Sequence, residues 1–183
     1  MTETSMSIQH SEAIYQKAAK IKLFAMDVDG ILSDGQIIYD ANGVETKAFF
    51  VQDGLGLQLL RQAGVTLAII TGRTSPMVER RAKELGVAHL IQGRDDKFVA
   101  LQTLADKLGL SLSECAYMGD DLPDLKAVRE AGLGVSVPNG CVQTQAVADF
   151  VTTKTGGRGA VREICELILQ AQGKFDDLVA TFG

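Results

Sequence analysis

Cysteine, histidine and positive charge are all scarce in this chain, and each shortage removes a class of function. The three cysteines, Cys115, Cys141 and Cys165, are widely spaced with no Cys-x-x-Cys pair, and only two histidines, His10 and His89, accompany them. They do not assemble a zinc site, and an odd set of scattered thiols fits a reducing compartment better than a disulfide framework. A net charge of -5 gives no basic footprint for nucleic acid and no attraction to an anionic membrane. No apolar run approaches a membrane span, and the opening "MTETSMSIQHSEAIYQKAAKI" lacks the basic start and apolar centre of a secretory signal. There is no repeat and no low-complexity linker. The expectation is a cytoplasmic protein without nucleic-acid or membrane partners, its residues 1–183 forming one domain.

Short apolar runs alternate with helical patterns along the rest of the chain. "IKLFAMDV", "VTLAIIT", "HLIQG", "CAYMGD", "LGVSV" and "FVT" read as strands. Asp53 is placed to cap "GLGLQLLRQAG", and Ser75 with Pro76 to open "MVERRAKELG". "DKFVALQTLADKLG" sets Phe98, Leu101, Leu104, Ala105 and Leu108 on one helical face. This rhythm predicts an α/β fold: a doubly wound, mainly parallel, Rossmann-like sheet with helices on both faces. One segment departs from it. "GQIIYDANGVETKAFFVQD", Gly35 to Asp53, carries two apolar arms around Asp40-Ala41-Asn42-Gly43 and reads as a β-hairpin flap after the first strand. Its apolar surface is too large for an isolated ribbon and predicts packing against another subunit.

In a parallel sheet, functional groups gather at the carboxyl ends of strands. The first strand ends in Asp27 and Asp29, the second in Thr71, Gly72 and Arg73, and the fourth in Gly119, Asp120 and Asp121; Lys97 opens the helix after the third. Four carboxylates on one rim repel unless a hard cation joins them, and Mg²⁺ is the usual ion beside phosphate. The Thr71 hydroxyl, the Lys97 ammonium and backbone N–H groups around Gly30 and Gly72 suit phosphoryl oxygens. Asp27 and Asp29 share a strand face, so one carboxylate can attack phosphorus while the other exchanges a proton with the leaving oxygen. Taken singly, each piece has a bland reading: a solvated strand end, a strand-to-helix turn, a solvated lysine, an acidic helix start. Their order and common position carry the functional one.

"DVDGIL", "IITGR", Lys97 and "GDDLPDL", in that order, resemble the four motifs of the haloacid dehalogenase-like superfamily over about the whole chain. The resemblance implies Asp27 as nucleophile forming an aspartyl-phosphate, Asp29 as general acid and then base, and Thr71 and Lys97 as phosphoryl ligands. It implies Mg²⁺ held by the carboxylates of Asp27 and Asp120 and the backbone carbonyl of Asp29, with Asp121 and Asp124 behind them. Neither gap between motifs is long enough for a cap domain, so neighbouring subunits are expected to wall the site. The capless layout, the hairpin and the ending "TTKTGGRGAVREICELIL" most resemble the 3-deoxy-D-manno-octulosonate 8-phosphate phosphatase family. That resemblance implies a homotetramer with shared active sites, hydrolysing a sugar-acid phosphate in the lipopolysaccharide pathway of Gram-negative bacteria; a nine-carbon sugar-acid phosphate is the alternative substrate. Arg73, Arg158 and Lys47 are candidates for the substrate carboxylate, Arg158 through a flexible glycine-rich turn in the C-terminal segment 154–183. Its last residues, "KFDDLVATFG", carry an apolar stripe that either tucks against a partner or frays. Two readings from other classes compete: a phosphoryl-receiver signalling domain, which also uses an aspartate, paired acids, Thr and Lys, and a non-catalytic module that kept the fold.

Overall fold

The structure, a computed structural model, describes residues 12–183. His10 and the start of the opening stretch lie outside the described residues. Six parallel strands form the main sheet: β1 (Leu23–Met26), β4 (Thr66–Ile70), β5 (His89–Ile91), β6 (Cys115–Met118), β7 (Leu133–Ser136) and β8 (Phe150–Val151). Their spatial order is β5-β4-β1-β6-β7-β8. The chain therefore winds outward from β1 in one direction through β4 and in the other through β6. That reversal opens a crevice at the carboxyl ends of β1 and β6, where no crossover covers the sheet.

Alternation along the strands builds two cores. Phe24, Met26, Leu67, Ile69, Ala116, Met118, Leu133 and Val135 point to one face. There they meet α2 (Val51–Gln62), α3 (Pro76–Leu85) and α7 (Ala160–Ala171). Leu23, Ala25, Ala68, Ile70, Cys115 and Tyr117 point to the other, against α4 (Lys97–Leu108) and α5 (Leu125–Glu130). All four residues of β1 are fully buried because both faces are covered. The face expected for α4 is the one that packs: Leu101, Leu104 and Ala105 are buried, with Phe98 and Leu108 beside them.

Three local expectations change. The hairpin ladder is only β2 (Ile38–Tyr39) with β3 (Glu45–Thr46), paired antiparallel. Phe49 and Phe50 lead into α2, which Val51 opens, and Phe49 packs on the main core under the Arg81 guanidinium. The Asp40 carboxylate closes the turn, accepting N–H bonds from Asn42 and Val44 at 2.8 Å. Ser75 does occupy the position before α3, but its hydroxyl is buried with no hydrogen-bond partner, and its N–H donates to Gln92 instead.

Asp53 does not cap its own helix. It lies in the first turn of α2, 1% exposed, and its carboxylate accepts N–H bonds from Gly159 at 3.3 Å and Arg162 at 2.7 Å. It therefore caps α7 from a neighbouring helix. Close approach of the two helices permits this, since a Cβ on Gly56 would stand 2.9 Å from Arg162 Cδ. Satisfying buried α7 donors from α2 ties α7 to the segment that follows the hairpin. Asp53→Ala is expected to lower the unfolding free energy by about 2 kcal/mol in urea titrations. An unchanged midpoint would remove the capping assignment.

Candidate active site

β1 continues past its last residue: the Asp27 N–H donates to Met118 O at 3.0 Å, holding the chain on the β6 ladder as it enters the crevice. Asp27 is thus fixed by backbone, and the residue is 7% exposed. Its Oδ2 pairs with Lys97 Nζ at 2.7 Å, the first residue of α4. The same ammonium reaches Asp124 Oδ1, also at 2.7 Å.

Asp124 is fully buried and both its oxygens are engaged. Oδ1 accepts from Lys97 and from the Tyr117 hydroxyl at 2.8 Å; Oδ2 accepts the N–H groups of Asp120 and Asp121 at 3.2 and 3.3 Å. It shapes the turn after β6 and steadies Lys97, and it has no lone pair to spare for a metal. Burial alone would drive Lys97 toward neutrality, but the charges of Asp27 and Asp124 outweigh it and hold its pKa above the ordinary lysine value. Burial keeps the Tyr117 phenol protonated, so it donates to Asp124.

Oxygens of Asp27, Asp120 and Asp124 lie within 4.8 Å of one another. Three carboxylates against one ammonium leave two negative charges in a buried place. Burial, followed by the Asp124 charge, pushes the Asp27 pKa up to about 6. Burial with the charges of Asp124 and Asp27 pushes Asp120 up to about 7. Asp27 Oδ1 and Asp120 Oδ1 are both buried without a hydrogen-bond partner. Two orphaned hard oxygens and an excess of two negative charges fit a divalent oxophilic cation such as Mg²⁺.

These groups open onto a cavity of about 280 Å³, lined by Asp27, Asp29, Thr71, Arg73, Lys97 and Asp120, with Gly72, Asp121 and Asp124 also on its wall. The expected site residues at the carboxyl ends of β1, β4 and β6 therefore do converge. Gly30 also makes room for a carboxylate: its φ is +89°, and a Cβ there would stand 2.1 Å from Asp120 Oδ2.

Two candidate substrate ligands lie elsewhere. Lys47 is not on the cavity wall; it ion-pairs with Asp29 Oδ1 and stands 3.2 Å from Glu45, its side chain 1% exposed. Arg158 is exposed, 3.8 Å from Asp34, in a separate groove beside Phe50 and Arg162. The turn that carries it was expected to be flexible, but its glycines are packed. A Cβ on Gly156 would stand 1.7 Å from Gly30 O, and the Gly157 N–H donates to Ile31 O at 2.8 Å. This C-terminal turn buttresses the loop that follows Asp29.

Glu45, Asp95 and Tyr117 were not singled out from the sequence. Glu45 Oε2 binds Arg73 at 2.8 Å, and its spacing two residues from Lys47 on a strand arm was the available signal. Asp95 lies on the cavity wall against Gly72, and Tyr117 reaches Asp124 from inside a strand that reads as plain core.

Comparison with known proteins follows the same line. A family profile described as haloacid dehalogenase-like hydrolase matches residues 88–164. The 3-deoxy-D-manno-octulosonate 8-phosphate phosphatase of Escherichia coli K12 is 45% identical over 167 residues, covering 91% of this chain and 89% of that protein. The crystal structure of the enzyme of that name from Moraxella catarrhalis, in complex with magnesium ion, phosphate ion and KDO, is 72% identical with a TM-score of 0.94, covering 95% of this chain and 100% of that one. The one from Yersinia pestis is 44% identical with a TM-score of 0.89, covering 91% and 90%. With its acid cluster at the sheet's switch point, this chain belongs to the 3-deoxy-D-manno-octulosonate 8-phosphate phosphatase family of haloacid dehalogenase-like hydrolases.

Proposed function

We propose that this protein hydrolyses 3-deoxy-D-manno-octulosonate 8-phosphate to the free sugar acid and phosphate, with Mg²⁺ as cofactor, in lipopolysaccharide precursor synthesis. The observation that carries the reading is the pair of orphaned buried oxygens on Asp27 and Asp120 beside the Lys97 ammonium, in a chain of this family. The Asp27 and Asp120 carboxylates and the Asp29 backbone carbonyl would hold Mg²⁺, which when bound supplies positive charge to the phosphoryl oxygens.

The chain's own residues divide the rest. An Asp27 carboxylate oxygen forms the bond to phosphorus as the bond to the sugar oxygen breaks, and the sugar oxygen takes that electron pair and a proton from Asp29. Lys97 and the Thr71 hydroxyl hold the phosphoryl oxygens while charge shifts onto them. Water then attacks phosphorus, gives its proton to Asp29 and releases phosphate, restoring the Asp27 carboxylate. Arg73, 40% exposed on the cavity rim, is the best-placed partner for the substrate carboxylate. Arg158 is exposed and off its own cavity wall, which suits a contact made to a neighbouring subunit's substrate.

Self-association as a homotetramer belongs to the same reading. Ile37, Ile38, Tyr39 and Val44 on the hairpin are each 49 to 60% exposed, an apolar strip that a second copy would cover. Three free cysteines, two of them buried, suit the cytoplasm, and among the described residues no helix is long and apolar enough to cross a membrane.

The deciding experiment is phosphate release across a panel of eight-carbon, nine-carbon and carboxylate-free sugar phosphates. Rapid turnover of the eight-carbon acid with Mg²⁺, and none after chelation, is expected; preference for another ester would overturn the substrate. Asp27→Asn is expected to abolish release and Asp29→Asn to reduce it by about a hundredfold or more. Full activity in either variant would defeat that role.

A pH dependence follows from the two raised carboxyl groups. The folded protein binds their protons more tightly than the unfolded chain does, so metal-free protein gains stability as pH falls and loses it as pH rises through 6 and 7. Mg²⁺ needs the same oxygens unprotonated. Calorimetry is expected to show Mg²⁺ raising Tm more at about pH 8 than at about pH 5. Equal shifts would count against Asp27 and Asp120 as ligands. Ile38→Glu is expected to lower the molar mass by light scattering; an unchanged mass would place the subunit contact elsewhere.

A further inference from the structure

The hairpin reaches the site through a closed ring of alternating charges. Lys47 pairs with Asp29 Oδ1 and stands 3.2 Å from Glu45 Oε1; Glu45 Oε2 binds Arg73 at 2.8 Å; Arg73 Nε stands 3.8 Å from Asp29 Oδ2. The four residues come from three segments: the loop after β1, the second arm of the hairpin, and the turn after β4. The two cations differ in kind. Arg73 is partly exposed on the cavity wall, whereas the Lys47 side chain is 1% exposed and off that wall. A buried ammonium needs anions as partners, and Asp29 and Glu45 supply them.

Asp29 is thereby used asymmetrically. Its Oδ1 takes Lys47 and the Ser33 hydroxyl, the latter at 3.4 Å. Its Oδ2 accepts no hydrogen bond among the described residues, and Asp29 itself lines the cavity. A carboxylate on a two-bond side chain swings unless one oxygen is tied down, and a misplacement of about 1 Å costs about a hundredfold in rate.

We propose that Lys47 is a positioning residue for Asp29: by holding Oδ1 it leaves Oδ2 as the oxygen that exchanges the proton, with Glu45 anchoring Lys47 from the hairpin. This rests on Asp29 as the acid of the proposed reaction. Docking of the hairpin on its own subunit then completes the acid. In the first step the Asp27–phosphorus bond forms, the phosphorus–alkoxide bond breaks, and the departing oxygen receives the Oδ2 proton. A nitrophenolate spreads its charge over the ring and departs without a proton, so an ester of that alcohol bypasses the group that Lys47 positions.

The test compares kcat/KM, which stops at departure of the leaving group, for the eight-carbon sugar-acid phosphate, glycerol 3-phosphate and para-nitrophenyl phosphate. The variants are Lys47→Met and the charge-balanced double variant Glu45→Gln with Lys47→Met, which keeps the test open should the single variant misfold. Both alkyl esters are expected to lose about tenfold or more while the nitrophenyl ester changes by less than about threefold, the pattern also expected of Asp29→Asn. Equal loss on all three esters would make Lys47 a merely structural residue. Loss confined to the sugar acid would make it a carboxylate ligand, and no loss would remove it from the reaction; each overturns the proposal. Should Asp29→Asn itself spare the alkyl esters, the assignment of the acid fails independently of Lys47.

Discussion

Repulsion between buried carboxylates, relieved by one ammonium, is the constraint on which the rest of this structure depends. Lys97 bridges Asp27 and Asp124 at 2.7 Å each, and Asp120 completes a group that one lysine cannot neutralise. Such a cluster persists only where the backbone leaves no alternative. β1 and β6 deliver Asp27 and Asp120 to adjacent ladder ends, α4 begins at Lys97, and the turn after β6 folds Asp124 back under its own N–H groups. The two apolar cores make these elements rigid enough to hold like charges together, and the residual negative charge becomes affinity for a divalent ion.

Glycine and aspartate share the work of close approach. Gly30 yields space to Asp120, and Gly156 lets the C-terminal turn lie on Gly30's carbonyl. Asp53 reaches from α2 to cap α7, so α7, the turn before it and the loop carrying Asp29 form one connected support. The proposed acid is then braced from two sides, by this support and by the hairpin through Lys47. With no cap domain among the described residues, few other groups are placed to fix an acid at an open cavity.

How legible this was varied with the range of the interaction. The alternating runs specified a parallel sheet with two covered faces because strand parity and burial on both sides leave a local imprint. That Asp27, Thr71, Lys97 and Asp120 meet at one cavity was legible because strand order and the carboxyl-end rule act on position along the chain. Asp53 was misassigned because a side chain at a helix start looks the same whether it caps its own helix or another. The packed turn at Gly156 looked flexible because glycine serves close contact and freedom alike.

By itself, the sequence determined which acids, hydroxyl and lysine reach the sheet edge and in what order, since those depend on residue type and periodicity. Tertiary structure alone decided their division of labour. It saturated Asp124 with donors while leaving Asp27 and Asp120 each an orphaned oxygen, withdrew Lys47 from the cavity onto Asp29, and turned Arg158 outward. Those outcomes depend on which groups from distant segments compete for the same lone pairs, and that competition is settled only when the segments pack.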